Sequence, residues 1–311
     1  MEKREIISGP GVTSGPETKA ESIATPEIKG ITERDLRVVL PPIGETTFVL
    51  QRNAKDERNP ESLNYGKLTP EAVEETRNAA KKYFEQLLSG LSPEERKGVE
   101  IIIVASDATL IAPEGREYDS SHKRALETAA EVMRGTREAL EELGLSENQI
   151  INHALPAIRA RAEEDSRDIA EFKELEPLKI LREAPEFVQY LKDKYGVGKE
   201  FWVAYEQDIE KAKREELGAE GVEDIAERMR RFVKLLARYG RMMHSRQKDR
   251  RLIIWAVSHY DSISPFIKGN VLKKPTTDYL PINAGGGITL EIDKEGKAKT
   301  EISDQKFDVK L

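Results

Sequence analysis

The chain has 311 residues, of which 38% are hydrophobic and 34% are charged, and its formal net charge is −7. This length suffices for one large domain or two ordinary ones, and the acidic balance argues against a protein that binds nucleic acid mainly through electrostatics. Because there is no cysteine, disulfides, thiolate zinc sites and cysteine nucleophiles are excluded. No apolar run approaches the length of a membrane span, and the first twenty residues lack the apolar stretch of a secretory signal. We therefore expect a cytoplasmic protein that does not enter the membrane.

The N-terminal segment, residues 1–35, is predicted to be a disordered tail. It is rich in glycine, proline, serine, threonine and charge, and it shows no sustained hydrophobic period. Such a segment cannot bury enough apolar surface to offset the entropy lost on ordering. The remaining residues, 36–311, are predicted to form a single domain.

Three apolar segments are predicted to be strands, and amphipathic segments between them are predicted to be helices. The two continuous apolar runs among the strands are typical of parallel strands that are buried on both faces. Thr69 and Pro70 offer an N-cap and a first-turn proline for the first helix. The predicted strands cover 46–53, 99–106 and 251–260, and the predicted helices cover about 70–89, 120–143 and 220–247.

Two further regions complete the predicted order of elements. A charged helical stretch, about 156–218, is expected to be an insertion that packs beside the sheet and takes no part in it. Near the C-terminus, GITLEID and KAKTEIS predict a hairpin that turns at 294–296. Strands that alternate with helices predict an α/β fold, here a three-layer α/β/α sandwich with a mostly parallel sheet and a helical insertion.

Polar side chains follow each of the three predicted strands. In a parallel sheet, ligands bind beyond the carboxyl ends of the strands. An arginine or a histidine at such a position is, taken alone, more often a solvated or structural residue than a functional one. A guanidinium and an imidazole at the same edge suit a phosphate group, because planar donors and positive charge match its oxygens. The residues concerned are Arg52 and Asn53, Ser106 and Asp107, and Ser258 and His259.

Three sequence blocks resemble the histidine phosphatase superfamily, which is also called phosphoglycerate-mutase-like. They are FVLQRNAKDE at 48–57 with LTPEA at 68–72, RALETA at 124–129, and WAVSHYD at 255–261. The resemblance covers about 45–295 and is weak within 145–218. It implies phosphomonoester hydrolysis or phosphoryl transfer without a metal or a cofactor.

The resemblance also implies a role for each matching residue. Arg52 and Arg124 would hold the phosphoryl group. His259 would donate a hydrogen bond to a phosphoryl oxygen and stabilise the transition state. The position of the nucleophilic histidine is occupied by Asn53, and Ala54 and Ala72 stand where the family has glycine.

Asn53 is the departure that matters most for function. The lone pair of an amide nitrogen is delocalised into the carbonyl, so Asn53 can hydrogen-bond a phosphate but cannot carry a phosphoryl group. Loss of a nucleophile costs on the order of 10⁴–10⁶ in kcat. The prediction is therefore a phosphatase that is inactive or severely impaired as written. Two origins stay open, a natural pseudophosphatase and a deliberately substituted chain. The alternative function is a non-catalytic protein that binds a phosphorylated ligand or protein partner.

The general acid has three candidates. Glu183, in LREAPEF, is the first candidate, and Glu174 and Asp261 come behind it. Each of the three is, in an acidic chain, more often a solvated carboxylate than a catalytic acid.

Several other signals are interpreted as structural. His122, His153 and His244 show no metal-binding spacing, so no metal is expected. The glycines at 285–287 precede a strand and predict a turn. The basic segment 230–251 is interpreted as a core-facing helix and not as a nucleic-acid site. The expected partner is a phosphorylated small molecule or a phosphoprotein, with no nucleic acid and no membrane; the substrate and the oligomeric state stay open.

Overall fold

The structure is a computed structural model. It describes residues 28–59, 62, 64–106, 124–146, 149, 185–196 and 198–311, together with the backbone of 158–160 and 170–172. The tail prediction for 1–27 lies outside these residues, as do the predicted helix start at 120–123 and most of 147–184.

The described strands form one mixed sheet of eight strands in the order β3-β4-β2-β5-β1-β6-β7-β8. The four strands β4, β2, β5 and β1 are parallel to one another. Strand β3 pairs antiparallel with β4 on one side, and β6, β7 and β8 extend the sheet antiparallel beyond β1 on the other. The strands are β1 Thr46–Arg52, β2 Val99–Ser106, β3 Ile158–Ala160, β4 Ala170–Phe172, β5 Arg251–Ser258, β6 Gly287–Ile292, β7 Ala298–Ile302 and β8 Gln305–Val309.

Helices cover both faces of the sheet. The described helices are α1 Pro70–Ser89, α2 Pro93–Lys97, α3 Arg124–Glu142, α4 Pro185–Tyr195, α5 Lys199–Glu206, α6 Lys211–Glu216, α7 Val222–Arg246 and α8 Tyr260–Phe266. A π-helical turn, Ile267–Val271, continues directly from α8. The α/β sandwich that the sequence predicts is confirmed.

The two faces of the central strands bury alternate residues in two separate cores. Phe48 of β1 packs with α7 and α8, whereas Val49 packs with α1 and α3 on the opposite face. Successive side chains of a strand point to opposite faces, so a strand with both kinds of neighbour must be apolar throughout. This arrangement explains the continuous apolar runs of β2 and β5, which are fully or almost fully buried.

Local sequence explains how the first helices begin. The Thr69 hydroxyl accepts a hydrogen bond from the backbone N–H of Ala72, and Pro70 occupies the first turn of α1. Helices α1 and α3 approach closely because Gly135 has no side chain: a Cβ there would lie 2.2 Å from the carbonyl oxygen of Arg77. The turn of the predicted C-terminal hairpin contains Gly296, whose φ is +83°, a conformation that favours glycine.

The prediction for 156–218 is correct in part. Helices α4, α5 and α6 lie there, and α4 and α5 share a small core that includes Phe187, Leu191 and Phe201. However, β3 and β4 also lie there and extend the sheet beside β2. The expectation that the segment stays outside the sheet is therefore wrong for these two strands. Each has only three residues, too few to show a period of two.

The predicted tail ends earlier than residue 35. Ile28 and Ile31 are buried, and Ile31 forms a bridge with Ile282. Asp35 closes a capping box with Thr32 and accepts a hydrogen bond from the backbone N–H of Ser303. Residues 28–35 therefore belong with the folded chain, because distant partners provide the burial that the local sequence lacks.

Candidate functional site

The polar residues that end β1, β2 and β5 meet at one edge of the sheet, as the sequence predicts. Strands β1 and β5 are paired in parallel with Arg52 opposite Ser258. Ser106 ends β2, which lies on the other side of β5. The backbone N–H of Asn53 donates to the carbonyl oxygen of Ser258 over 2.8 Å. Asp107 lies outside the described residues. The site is thus built at the carboxyl ends of adjacent parallel strands.

Asn53 and His259 are buried side by side. Oδ1 of Asn53 lies 3.2 Å from Nδ1 of His259, and the Asn53 amide group Nδ2 donates to the carbonyl oxygen of Ala54 over 2.9 Å. Because the Ala54 carbonyl oxygen can only accept, the Asn53 atom that faces it must be the NH₂ group, and the Asn53 oxygen then faces His259. That oxygen also only accepts, so Nδ1 of His259 carries the proton of this hydrogen bond. Both ends of the Asn53 amide are therefore engaged by the protein.

Arg52 reaches the site from the end of β1. Its guanidinium donates to the carbonyl oxygen of Ile282 and lies 5.4 Å from the centre of the Tyr260 ring. Burial lowers the pKa of Arg52, and the positive charges of Arg124 and Arg58 lower it further. The two predicted phosphate-binding arginines are therefore close enough to repel each other, and an anion between them would relieve that repulsion.

Arg124 is placed by the first turn of α3. The hydroxyl of Thr128 donates to the carbonyl oxygen of Arg124 over 2.8 Å and accepts from the backbone N–H of Ala54 over 3.0 Å. This one hydroxyl joins the loop after Asn53 to α3. Arg124 itself is 8% exposed, and its Nη1 lies 3.6 Å from Oδ2 of Asp56. The RALETA block thus carries both the arginine and the residue that positions it.

Asp261 is the candidate acid that the structure places at the site. Burial raises the pKa of Asp261 to about 7, against the opposing positive charges of Arg124, Arg52 and Arg228. A carboxyl group with such a pKa keeps its proton below neutral pH and can donate it. The other two candidates, Glu183 and Glu174, lie outside the described residues.

Two residues of the site were not predicted from the sequence. Asp56 forms an ion pair with Arg58 at 2.9 Å as well as facing Arg124. Nothing in the sequence marks Asp56, because a loop carboxylate is usually solvated. Tyr260 packs under Arg52 and donates from its hydroxyl to the carbonyl oxygen of Leu280 over 3.1 Å. The sequence signal that could have identified Tyr260 is its position directly after His259.

The other residues that the sequence analysis interpreted as structural are either part of the fold or outside the described residues. Nε2 of His244 lies 3.2 Å from the Thr46 hydroxyl, which confirms a structural role. Helix α7 buries one apolar face against the sheet, which confirms the core-facing interpretation of the basic segment. The turn predicted at the glycines before β6 is present, with φ of +78° at Gly285. His122 and His153 lie outside the described residues.

Among the residues that the structure describes, no group of three or more His, Cys, Asp or Glu side chains is arranged to hold a metal ion. Within the same part of the chain, no helix combines the length and the apolar character that crossing a membrane requires.

Comparison with known proteins gives a similarity in structure and none in sequence. No protein-family model matches the sequence, and no curated protein matches it. Among solved structures, the chain is similar to a phosphoglycerate mutase from Bacillus anthracis str. Sterne, with a TM-score of 0.43 and 13% sequence identity over 84% of this chain and 93% of that chain. At this level of similarity, the assignment of function depends on the geometry of the site itself.

Proposed function

We propose that this chain binds phosphomonoesters at the edge formed by Arg52, Arg124 and His259, in the manner of a histidine phosphatase. The observation that carries the proposal is that the paired strands β1 and β5 place Arg52 and Asn53 beside His259, while Thr128 joins Arg124 to the loop after Asn53. Guanidinium groups suit the oxygens of a phosphate, and a dianion would offset their positive charge. We propose further that hydrolysis by the chain as written is absent or severely impaired.

The reaction that this arrangement would perform requires a histidine at position 53. A ring nitrogen of that histidine would attack phosphorus in line, a P–N bond would form, and the P–O bond to the leaving group would break. Asp261, in its protonated form, would give its proton to the leaving oxygen. Water would then attack phosphorus, break the P–N bond and release inorganic phosphate, while Asp261 recovers a proton. Arg52, Arg124 and His259 would stabilise the charge that builds up on the phosphoryl oxygens.

Asn53 removes the first step and leaves the binding groups in place. Its amide nitrogen has no available lone pair, and it already donates to the carbonyl oxygen of Ala54. The same contacts support the alternative function, a non-catalytic protein that holds a phosphorylated small molecule or phosphoprotein, because the amide fixes His259 without disturbing the arginines.

The catalytic part of the proposal is tested by phosphate release from p-nitrophenyl phosphate. The chain as written is expected to stay near the background rate. Asn53→His is expected to raise kcat by about 10⁴-fold, in line with the cost of losing a nucleophile. Asn53→Gln is the matched control, since it changes the side chain without supplying a nucleophile. Equal turnover by all three proteins would contradict the proposed role of position 53.

The binding part is tested by calorimetric titration with inorganic phosphate. Arg52→Met is expected to weaken phosphate binding at least tenfold, because it removes one guanidinium of the pair. Arg231→Met is the matched control: Arg231 is exposed on α7 and pairs with Glu227 at 2.9 Å. Phosphate binding without turnover in Asn53→His would favour the non-catalytic alternative. The absence of phosphate binding to the unaltered chain would overturn the proposal.

A further inference from the structure

Asp56 places a carboxylate beside the arginines of the proposed phosphate site. Its side chain is 7% exposed, and its Oδ2 lies 3.6 Å from Nη1 of Arg124 and 2.9 Å from Nε of Arg58. The positive charge of Arg58 also acts on Arg52, whose pKa it helps to lower. An anion held by these arginines would therefore lie close to a negative charge of the protein, which would repel it.

The backbone of the loop fixes the position of Asp56 independently of its side chain. Asp56 forms an isolated bridge with Leu68. The backbone N–H of Glu57 donates to the carbonyl oxygen of Lys67 over 2.8 Å, and the backbone N–H of Gly66 donates to the carbonyl oxygen of Glu57 over 2.9 Å. Main-chain contacts therefore hold the carboxylate at the site, and its replacement by an amide of similar size should leave the loop in place.

One oxygen of this carboxylate lacks a hydrogen-bond donor. Oδ2 of Asp56 is buried and accepts no hydrogen bond from the part of the chain that the structure describes; Arg58 and Arg124 approach it only as ion-pair partners. A buried acceptor without a donor is unfavourable, so this oxygen suits a ligand that brings a donor of its own. A phosphate oxygen that accepts from Arg124 would lie about 2.7–2.9 Å from a guanidinium nitrogen, next to this carboxylate.

We propose that Asp56 makes the site selective for a phosphoryl group that carries a proton. The inference rests on the proposed function. A carboxylate accepts hydrogen bonds and cannot donate one, so it would bond a P–O–H group and repel an oxyanion that has no proton. Inorganic phosphate keeps a proton at neutral pH, whereas sulfate keeps none. A phosphomonoester would be bound in its singly protonated form, which prevails below its second pKa of about 6.

Calorimetric titration at neutral pH with inorganic phosphate and with sulfate tests this selectivity. The two anions share a tetrahedral shape and differ in the proton. The unaltered chain is expected to bind phosphate at least about tenfold more tightly than sulfate, because only phosphate offers a donor to Asp56. Equal binding of the two anions would overturn this inference and leave the proposed function standing. The absence of phosphate binding would overturn the proposed function, and the inference with it.

The variant Asp56→Asn tests the carboxylate itself. The new NH₂ group can donate to a charged oxygen, so sulfate binding is expected to strengthen at least about tenfold and the preference for phosphate to fall to within about threefold. Glu57→Gln is the matched control, since it removes one negative charge from the same loop. Oε1 of Glu57 accepts from the backbone N–H of Asn59 over 2.6 Å, and a glutamine oxygen can accept the same bond.

The control variant is expected to keep the preference of the unaltered chain. A preference for phosphate that Asp56→Asn retains would overturn the proposal. An equal loss of preference in Glu57→Gln would also overturn it, because the effect would then come from the charge of the loop and not from the acceptor at Asp56.

Discussion

Buried charges lie at both ends of α8, and the two groups are built in opposite ways. Beyond the C-terminal end, Nζ of Lys268 lies 3.1 Å from Oε2 of Glu206, and both side chains are 1% exposed. At the N-terminal end, Arg52 and Arg124 repel each other, and Asp261 beside them has a pKa raised to about 7. The first group neutralises itself, whereas the second holds an excess of positive charge at neutral pH and below.

The partners of the two groups explain this difference. Oε1 of Glu206 also accepts from the Ser264 hydroxyl over 2.8 Å. Burial raises the pKa of Glu206 and lowers that of Lys268, and each charge opposes the shift of the other. The closed group ties α5 to the π-helical turn after α8. In the open group, Asp56 offsets only part of the positive charge, since its Oδ2 lies 3.6 Å from Nη1 of Arg124 and 2.9 Å from Nε of Arg58. The closed group therefore serves the fold, and the excess positive charge of the open group is where we propose that an anion binds.

The largest expected effect comes from breaking the closed group. Lys268→Met leaves the Glu206 carboxylate buried without its counter-charge and is expected to lower the free energy of unfolding by about 3–5 kcal/mol. The double variant Lys268→Met with Glu206→Gln is expected to recover most of that loss. Urea unfolding measures both proteins. A loss below about 1 kcal/mol in the single variant would contradict the burial of this pair.

The second effect concerns Asp261 and depends on pH. The folded state keeps the Asp261 proton up to about pH 7, whereas an ordinary aspartate releases it near 3.8. Stability should therefore fall as the pH rises from about 4 to 7 and stay level above that range, with a total loss of about 4 kcal/mol for this shift. Asp261→Asn removes this contribution, so its free energy of unfolding should exceed that of the unaltered chain at pH 8 and match it at pH 4. Parallel pH profiles for the two proteins would contradict the assignment.

A smaller effect separates the ligand-dependent group from the closed one. Inorganic phosphate at 100 times its Kd should raise the free energy of unfolding by about 2.7 kcal/mol, because it binds the folded state alone. If Arg52→Met weakens binding tenfold, it should keep only about 1.4 kcal/mol of this stabilisation at the same phosphate concentration, whereas Arg231→Met should keep all of it. Thermal unfolding with and without phosphate measures the difference. Equal stabilisation of Arg52→Met would place the phosphate elsewhere.

The smallest expected effect comes from an exposed ion pair, which serves as a reference for the buried pair. Lys213 and Glu216 form an exposed pair at 2.7 Å on α6. Solvent screens such a pair, so Glu216→Gln should change the free energy of unfolding by at most about 0.5 kcal/mol. Urea unfolding of this variant measures what an ion pair contributes without burial. A loss as large as that of Lys268→Met would show that burial is not what distinguishes the pair at Glu206.

Elements with a strong local period were predictable from the sequence. The bounds of β2 and α1 agree with the predictions, because a long apolar run and a capped amphipathic pattern are local properties. The meeting of Arg52 and Asn53 with Ser258 and His259 also followed from the sequence, since parallel strands bring their carboxyl ends to one edge. Strand β8, in which charged and apolar residues alternate as QKFDV, was not predicted, although it pairs with β7 at the edge of the sheet.

The sequence by itself determined the layers and the strand ends, because each depends on residue type and spacing along the chain. Only the tertiary structure decided that Asp56 faces Arg124, that Glu206 meets Lys268, and that Ile31 pairs with Ile282. Each of these pairs joins residues that are far apart in the chain. A side chain's charge, burial and pKa depend on such neighbours, and neighbours in space leave no period in the sequence.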